Sequence, residues 1–308
     1  MLSTSVGSIF LILNIKREKF MRLDKYLADM GVGSRSDIKK AIRKCKVTVD
    51  GEVIREAGFE VPEGAVITCF DEEIRYEKYQ YYMLNKPAGV ISASEDKRQT
   101  TVVDLIRGDE FGGQARKDLF PVGRLDKDTE GLLIITNDGQ LAHRLLAPKH
   151  HIDKVYYAVV SGEVSEEDRE IFKKGIRFDE HLTAMPAGLE ILSTGKTVKE
   201  LADKLQLTVD PERFERVRLS GADFKGAEEA ADVNAETLCS EIKVTIQEGK
   251  FHQIKKMIRA LPGGKDVLYL KRMSMGSIEL DESLAPGEYR SLTEEEIQTL
   301  KDDCSGEL

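Results

Sequence analysis

The chain has 308 residues, 41% hydrophobic and 33% charged, which is enough for two folded domains and reads as soluble and globular. Its four cysteines (Cys45, Cys69, Cys239, Cys304) are scattered without a C-x-x-C pair, which argues against a disulfide framework or a zinc site and for a reducing, cytoplasmic setting. The net charge of −9 excludes a uniformly basic surface, but the charge is uneven: Met21 to Glu56 holds nine Lys/Arg against six Asp/Glu, and Asp281 to Leu308 holds nine acids against two bases.

Residues 1–20 contain the apolar run Ser8 to Asn14, followed by bases. The run is too short to span a membrane, and a signal peptide would carry its bases ahead of the apolar run. This segment reads as a disordered or artefactual extension, with Met21 a plausible true start. Leu23, Tyr26, Leu27 and Met30 then form one helical face, and Gly31-Val32-Gly33 ends it. Ser34 or Ser36 can cap a second helix with Ile38, Ala41 and Ile42 inward and Arg35, Lys39, Lys40, Arg43 and Lys44 elsewhere. Val47-Thr48-Val49, Asp50-Gly51 and Val53-Ile54 read as a hairpin with a primed turn. The charged stretch Asp71 to Glu77 reads as part of a linker over 69–80.

A larger unit is expected from 81 to 292. Tyr81 to Pro87 reads as a strand stopped by a turn, and Leu132 to Thr136 as a buried strand. Asn137-Asp138-Gly139 turns the chain into a helix over Gln140 to Leu146. Val155 to Val160 and Ser240 to Ile246 read as strands, and Phe251 to Leu261 has helical spacing. The mixture is α+β rather than a regular βαβ alternation. Residues 194–237 read as an insertion or loop, with an acidic, Ala-rich core at Gly221 to Asn234. Residues 293–308 read as an acidic C-terminal tail.

A charge run by itself is usually a solvated helix face. Here Leu23-Asp24-Lys25-Tyr26-Leu27, Ser34-Arg35-Ser36 and Val47-x-Val49-Asp50-Gly51 together resemble the small S-four RNA-binding module, over residues 21–68. The resemblance implies that Arg35, Lys39, Lys40 and Arg43 contact RNA phosphates.

The most informative segment is Gly123-Arg124-Leu125-Asp126-Lys127-Asp128-Thr129-Glu130-Gly131-Leu132-Leu133. Taken bare, Asp126 there reads more simply as a turn cap or a partner of Arg124 or Lys127. The segment looks like the R-L-D-x-x-T-x-G-L-L signature of pseudouridine synthases. Asn85-Lys86-Pro87-x-Gly89 precedes it. His143 through Pro148, Lys154-Val155-Tyr156 and Glu248-Gly249-Lys250-x-His252-Gln253-Ile254-Lys255-Lys256-Met257 follow in the family's order. The run from His143 to Tyr156 resembles the small-subunit (16S) ribosomal RNA branch, the RsuA type. Large-subunit (23S) relatives share the fold.

What the resemblance implies is concrete. The fold would be the S-four-like module of helices plus hairpin, followed by a catalytic domain on a large mixed, mainly antiparallel sheet. Asp126 would be the nucleophile, attacking C1′ or C6 of a flipped uridine. Burial alone would neutralise a carboxylate, so a cation is needed beside it, and Lys255 would be that partner. Tyr156 would stack on the flipped base and help move the C5 proton. Tyr157, on the opposite strand face, would only pack. Arg124 would contact a phosphate or fill the vacated space, and Leu133 would wall the pocket. No cofactor and no metal is expected, and no P-loop, Rossmann or H-E-x-x-H pattern occurs. The partner would be ribosomal RNA, bound by a cytoplasmic monomer, with no membrane. Two other readings compete: a non-catalytic RNA-binding or ribosome-assembly protein, and a glycoside hydrolase using Asp126 with Asp128 or Glu130. The chain has no Trp with which to build a sugar platform.

Overall fold

The computed structural model describes residues 21–107, 115–178, 183–204 and 235–305. The expectations for 1–20 and for most of 194–237 lie outside them. The chain divides into two compact units, split between Tyr76 and Glu77.

The first unit runs β1 (Met21–Arg22), α1 (Leu23–Asp29), α2 (Arg35–Arg43), β2 (Val47–Val49), β3 (Glu52–Val53), β4 (Glu60–Val61), β5 (Ile67–Cys69) and β6 (Glu72–Ile74). Leu23, Leu27, Ile38 and Ile42 form its core with Val47 and Ile67. Ser34 caps α2, accepting from the Asp37 amide at 3.2 Å. The turn between β2 and β3 has positive φ at both Asp50 and Gly51, 50° and 82°, the primed geometry expected of an Asp-Gly hairpin. The linker expectation needs correction. Glu72–Ile74 is a strand in the sheet order β3-β2-β5-β6, pairing with β5 through its backbone while Ile74 enters the core.

The second unit begins with β7 (Tyr81–Lys86), α3 (Val102–Arg107), β8 (Phe120–Pro121), β9 (Glu130–Thr136), α4 (Gly139–Leu146), a short 3-10 turn (Pro148–His150), β10 (Lys154–Ser161) and α5 (Glu166–Lys174). It continues with β11 (Gly188–Thr197), α6 (Val198–Lys204), β12 (Leu238–Ile246), α7 (Gln253–Arg259), β13 (Val267–Met275), β14 (Ile278–Glu279), β15 (Tyr289–Ser291) and α8 (Glu294–Asp303). One mixed sheet carries the order β11-β12-β10-β13-β9-β7-β15, antiparallel except for the β13–β9 pair. The unit is α+β on a mainly antiparallel sheet.

The parallel pair is in close backbone contact at Gly131. Gly131 adopts φ 98°, and a Cβ there would lie 2.2 Å from the Arg272 carbonyl oxygen. Glycine alone lets the start of β9 run this close beside β13. Two core clusters flank the sheet: one includes Leu84, Leu133, Tyr156 and Ile258, the other Met83, Leu132, Ile134 and Leu300.

Two further expectations are corrected. The acidic C-terminal tail is largely α8, with a Thr293 capping box, and Ile297, Leu300 and Cys304 are buried against the second cluster. Glu294, Glu295 and Asp302 face water, Glu296 pairs with Arg290 and Asp303 accepts from Ser277, while one apolar stripe packs. In 194–237, the described flanks are ordered structure: β11 reaches Thr197, α6 follows, and Val198 and Leu201 join a small cluster with Val159 and Cys239.

Candidate active site

The loop 123–129 lies between β8 and β9, and β7 holds it from one side. The buried ammonium of Lys86 donates to the carbonyls of Pro87, Lys127 and Thr129 at 3.0, 3.2 and 2.9 Å. The Gly89 amide donates to the same Lys127 carbonyl at 2.8 Å. Ser92 completes the clamp, its hydroxyl donating to the Leu125 carbonyl and accepting from the Leu125 amide, at 2.8 and 3.1 Å. Burial pushes the Lys86 ammonium down to about 8, and Asp128, Glu130 and Asp126 pull the other way. The N-K-P-x-G segment therefore fixes the path of the Asp126 loop.

Helix α7 supplies the other side. The turn before it closes on itself: Gln253 accepts from the Lys250 amide at 2.9 Å and donates to Glu248 at 2.8 Å, and Glu248 also pairs with the Lys250 ammonium at 2.8 Å. His252, at the helix N-cap, takes φ 51°, a left-handed conformation uncommon for a residue with a Cβ. This turn aims His252 and Lys255 at the loop.

The Lys255 ammonium lies 3.3 Å from an Asp126 oxygen and donates to both oxygens of Asp128, at 2.7 and 2.8 Å. His252 Nε2 lies 3.6 Å from the other Asp126 oxygen. Lys255 is buried and both carboxylates are partly so. The result is a cation shared by two carboxylates, with an imidazole beside the more exposed one. Asp126 keeps an edge on the pocket lined by Arg124, Leu125, Tyr156, Ile246, Ile254 and Leu270, among others. A carboxylate so placed can add to an electrophilic carbon of a planar substrate resting on the tyrosine.

The structure thus brings together Asp126, Lys255, Tyr156 and Arg124, drawn from a loop, a helix, a strand and the loop again. Arg124 is exposed. Leu133 is placed differently from expectation. It is fully buried in the core with Tyr156 and Leu125, and the pocket's apolar wall is Leu125, Ile246, Ile254 and Leu270. Tyr157 turns to the opposite sheet face, where its hydroxyl donates to Glu241 at 2.6 Å and its ring meets Tyr269. Arg35, Lys39, Lys40 and Arg43 belong to the first unit, exposed along α2.

Two residues escape the sequence reading. Asp128 figures there only as a hydrolase partner, although it holds Lys255 more tightly than Asp126 does. His252 stands in a family motif without a role. The D-x-D spacing is the available signal for Asp128.

The family model described as RNA pseudouridylate synthase matches residues 80–260, and an S4 domain matches residues 21–67. An RNA pseudouridine synthase of Bacillus subtilis, described as uncharacterized, is 40% identical over 92% of this chain and 99% of its own length. The ribosomal small subunit pseudouridine synthase A of Escherichia coli is 33% identical over 91% of this chain and 100% of its own length. A crystal structure of a pseudouridylate synthase superposes with a TM-score of 0.52 at 32% identity, covering 91% of this chain and 99% of that one. This chain, an S4 domain followed by a catalytic unit, belongs to the RNA pseudouridine synthase family.

Proposed function

We propose that this enzyme isomerises a uridine of small-subunit (16S) ribosomal RNA with Asp126 as its nucleophile. The observation that carries the reading is the Asp126 carboxylate, 3.3 Å from a buried lysine and in one pocket with Tyr156. The choice of small-subunit RNA is supported by relatives named for that substrate, matched over nearly their whole length.

The target uridine leaves its stack and enters the pocket, at a cost of a few kcal/mol. Tyr156 stacks on the base and returns part of that cost. Asp126 has two electrophilic carbons to choose from, C1′ of the ribose and C6 of the ring, and both routes end alike. The N1–C1′ bond breaks, the uracil turns in the pocket, and C5 bonds to C1′. Asp126 leaves unchanged, the C5 proton is lost, and N1 gains a proton, so the product is an isomer. No electron is gained or lost overall, and no redox partner enters the balance. Lys255 keeps the attacking carboxylate next to a positive charge, and Arg124 at the pocket edge takes a backbone phosphate. In the N-terminal unit, Arg35, Lys39, Lys40 and Arg43 add phosphate contacts that strengthen and orient RNA binding.

We place this work in the cytoplasm and assign it to a monomer. Cys69, Cys239 and Cys304 are buried single thiols that fit a reducing compartment. Among the described residues no helix is long and apolar enough to cross a membrane.

The test is to map pseudouridines in 16S and 23S rRNA from cells with the gene, without it, and with an Asp126→Asn copy. One 16S position should lose its modification in the second and third strains. Loss at a 23S position would move the target to the large subunit, and a fully modified Asp126→Asn strain would end the nucleophile assignment.

A further inference from the structure

We propose that Phe251 is a second base-stacking site, at the mouth of the Asp126 pocket, for the base of a nucleotide next to the target uridine. This rests on the RNA-isomerase reading above. Phe251 is 64% exposed, the most of any exposed large hydrophobic residue described, and it sits in the turn that aims α7 at the nucleophile. Its ring stacks on His252 at 3.8 Å with the planes 19° apart. That spacing is close to the rise of roughly 3.4 Å between neighbouring bases in one strand. His252 in turn lies 3.6 Å from Asp126. Running outward from the nucleophile, the order is carboxylate, imidazole, phenyl ring.

The surroundings suit RNA rather than a protein partner. Lys256 holds its ammonium 5.2 Å from the centre of the Phe251 ring, and Arg124 stands exposed on the pocket edge. A projecting aromatic with a cation beside it is a pattern that binds single-stranded nucleic acid: the ring takes a base and the cation takes phosphate. A protein partner would need a larger continuous apolar patch.

The reaction also creates the need. When the uridine flips out, its neighbour loses a stacking partner and exposes one face. An aromatic ring within one stacking distance of the pocket wall can cover that face. Phe251 would thereby stabilise the opened strand in the bound complex. Because the ring meets a flanking base and not the reacting atoms, it acts on substrate binding.

Tritium release from C5-labelled uridine tests the site, using transcripts of 16S and of 23S rRNA with the full chain. Wild type is compared with Phe251→Ala, Phe251→Leu and Phe251→Trp. Loss of a base–aromatic stack should raise KM about tenfold in the Ala and Leu variants with kcat within about twofold, and Trp should restore KM. Phe251 is exposed, so these variants should fold; equal thermal melting checks this. A Leu variant as good as wild type would make the ring mere apolar cover and overturn the site. So would an unchanged KM in Phe251→Ala, or a loss confined to kcat that Trp does not repair. If wild type releases no tritium from either RNA, the enzymatic reading fails and this site with it. An active wild type beside an unaffected Ala variant removes the site alone.

Discussion

Lysines of the catalytic unit and the basic residues of α2 both carry functional expectations, yet they live in different physical worlds. Lys255, Lys86 and Lys154 are buried, and each ammonium is held by named acceptors. Arg35, Lys39, Lys40 and Arg43 stand in water, where Lys40 makes one loose ion pair to Asp37 at 3.4 Å and Arg43 bonds the Lys39 carbonyl. A desolvated cation is costly unless its partners are fixed, so its position is determined by the fold. A solvated cation is cheap and adaptable, and it gains its role only when a phosphate arrives. Substitutions should therefore separate the two groups by the kind of effect as well as by its size.

The largest effects are expected at Asp126 and at its buried partner Lys255. Lys255→Met leaves Asp126 and Asp128 facing each other without their shared cation, and turnover should fall by at least about a hundredfold, matching the several kcal/mol lost when a buried pair is broken. Lys255→Arg retains charge but not shape and should recover part of the rate. Asp128→Asn should cost less than Asp126→Asn, because it loosens Lys255 without removing the nucleophile. Single-turnover rates on whichever C5-labelled transcript the wild type modifies measure all four. Equal losses in Asp126→Asn and Asp128→Asn would mean that the two carboxylates cannot be told apart.

Next comes Lys86. Its ammonium fills a space defined by three carbonyls, so Lys86→Met strands those acceptors and Lys86→Arg does not fit between them. Both variants should lose more than about tenfold in kcat as the loop relaxes, since each buried acceptor left unmade costs about 1–3 kcal/mol. A Lys86→Arg variant with full activity would show that charge alone, and not the clamp, matters.

The same contrast explains how far the sequence can be read. The site is legible where chemistry is written in a contiguous motif: Asp126, Lys255 and Tyr156 each sit in one. Asp128 is not, because a loop carboxylate acquires a partner only through the loop's curvature, and that curvature is set by Lys86 and Ser92 from elsewhere in the chain. The apolar runs that form β7 and β9 are plain. Strand β13 is hidden, since Lys271 and Arg272 interrupt its pattern; yet Arg272 is buried, donating to the Leu132 carbonyl at 2.7 Å. Glu72–Ile74 and α8 mislead for one reason: acidic outward faces dominate the composition, while Ile74, Ile297 and Leu300 face in.

A smaller, pH-dependent effect tests the cost of burial directly. Lys154 donates to the carbonyls of Ile152 and Gln247 at 3.0 and 3.2 Å, and burial pushes its ammonium down to about 8, with Arg272 adding to the shift. The unfolded chain holds that proton up to about 10.4. Between these values the unfolded state binds more protons, so this lysine makes stability rise with pH, by at most about 1.4 kcal/mol per pH unit. Below about 8 both states are charged and the dependence vanishes. Lys86 acts in the same sense, while the buried Cys239 thiol, pushed up to about 12, works against it above pH 9. The clean measurement is the difference in chemical-denaturation stability between wild type and Lys154→Met from pH 7.5 to 9. Wild type should gain on the variant as pH rises, and parallel curves would refute the buried charge.

The smallest effect belongs to the solvated group. Lys39 and Lys40 lie on the outward side of α2, opposite Ile38, Ala41 and Ile42, and no core packing depends on their charge. Lys39→Ala with Lys40→Ala should leave thermal stability within about 0.5 kcal/mol. RNA affinity should fall by about 1 kcal/mol, and the slope of log affinity against log salt should become shallower by about one for each phosphate that is no longer neutralised. The rate on saturating RNA should not change, because these residues act before the uridine reaches Asp126. A lower stability would mean that the helix face is structural, and an unchanged salt slope would mean that RNA does not touch it. A lowered saturating rate would break the division between the two groups of cations, by tying the solvated ones to the chemistry of the buried ones.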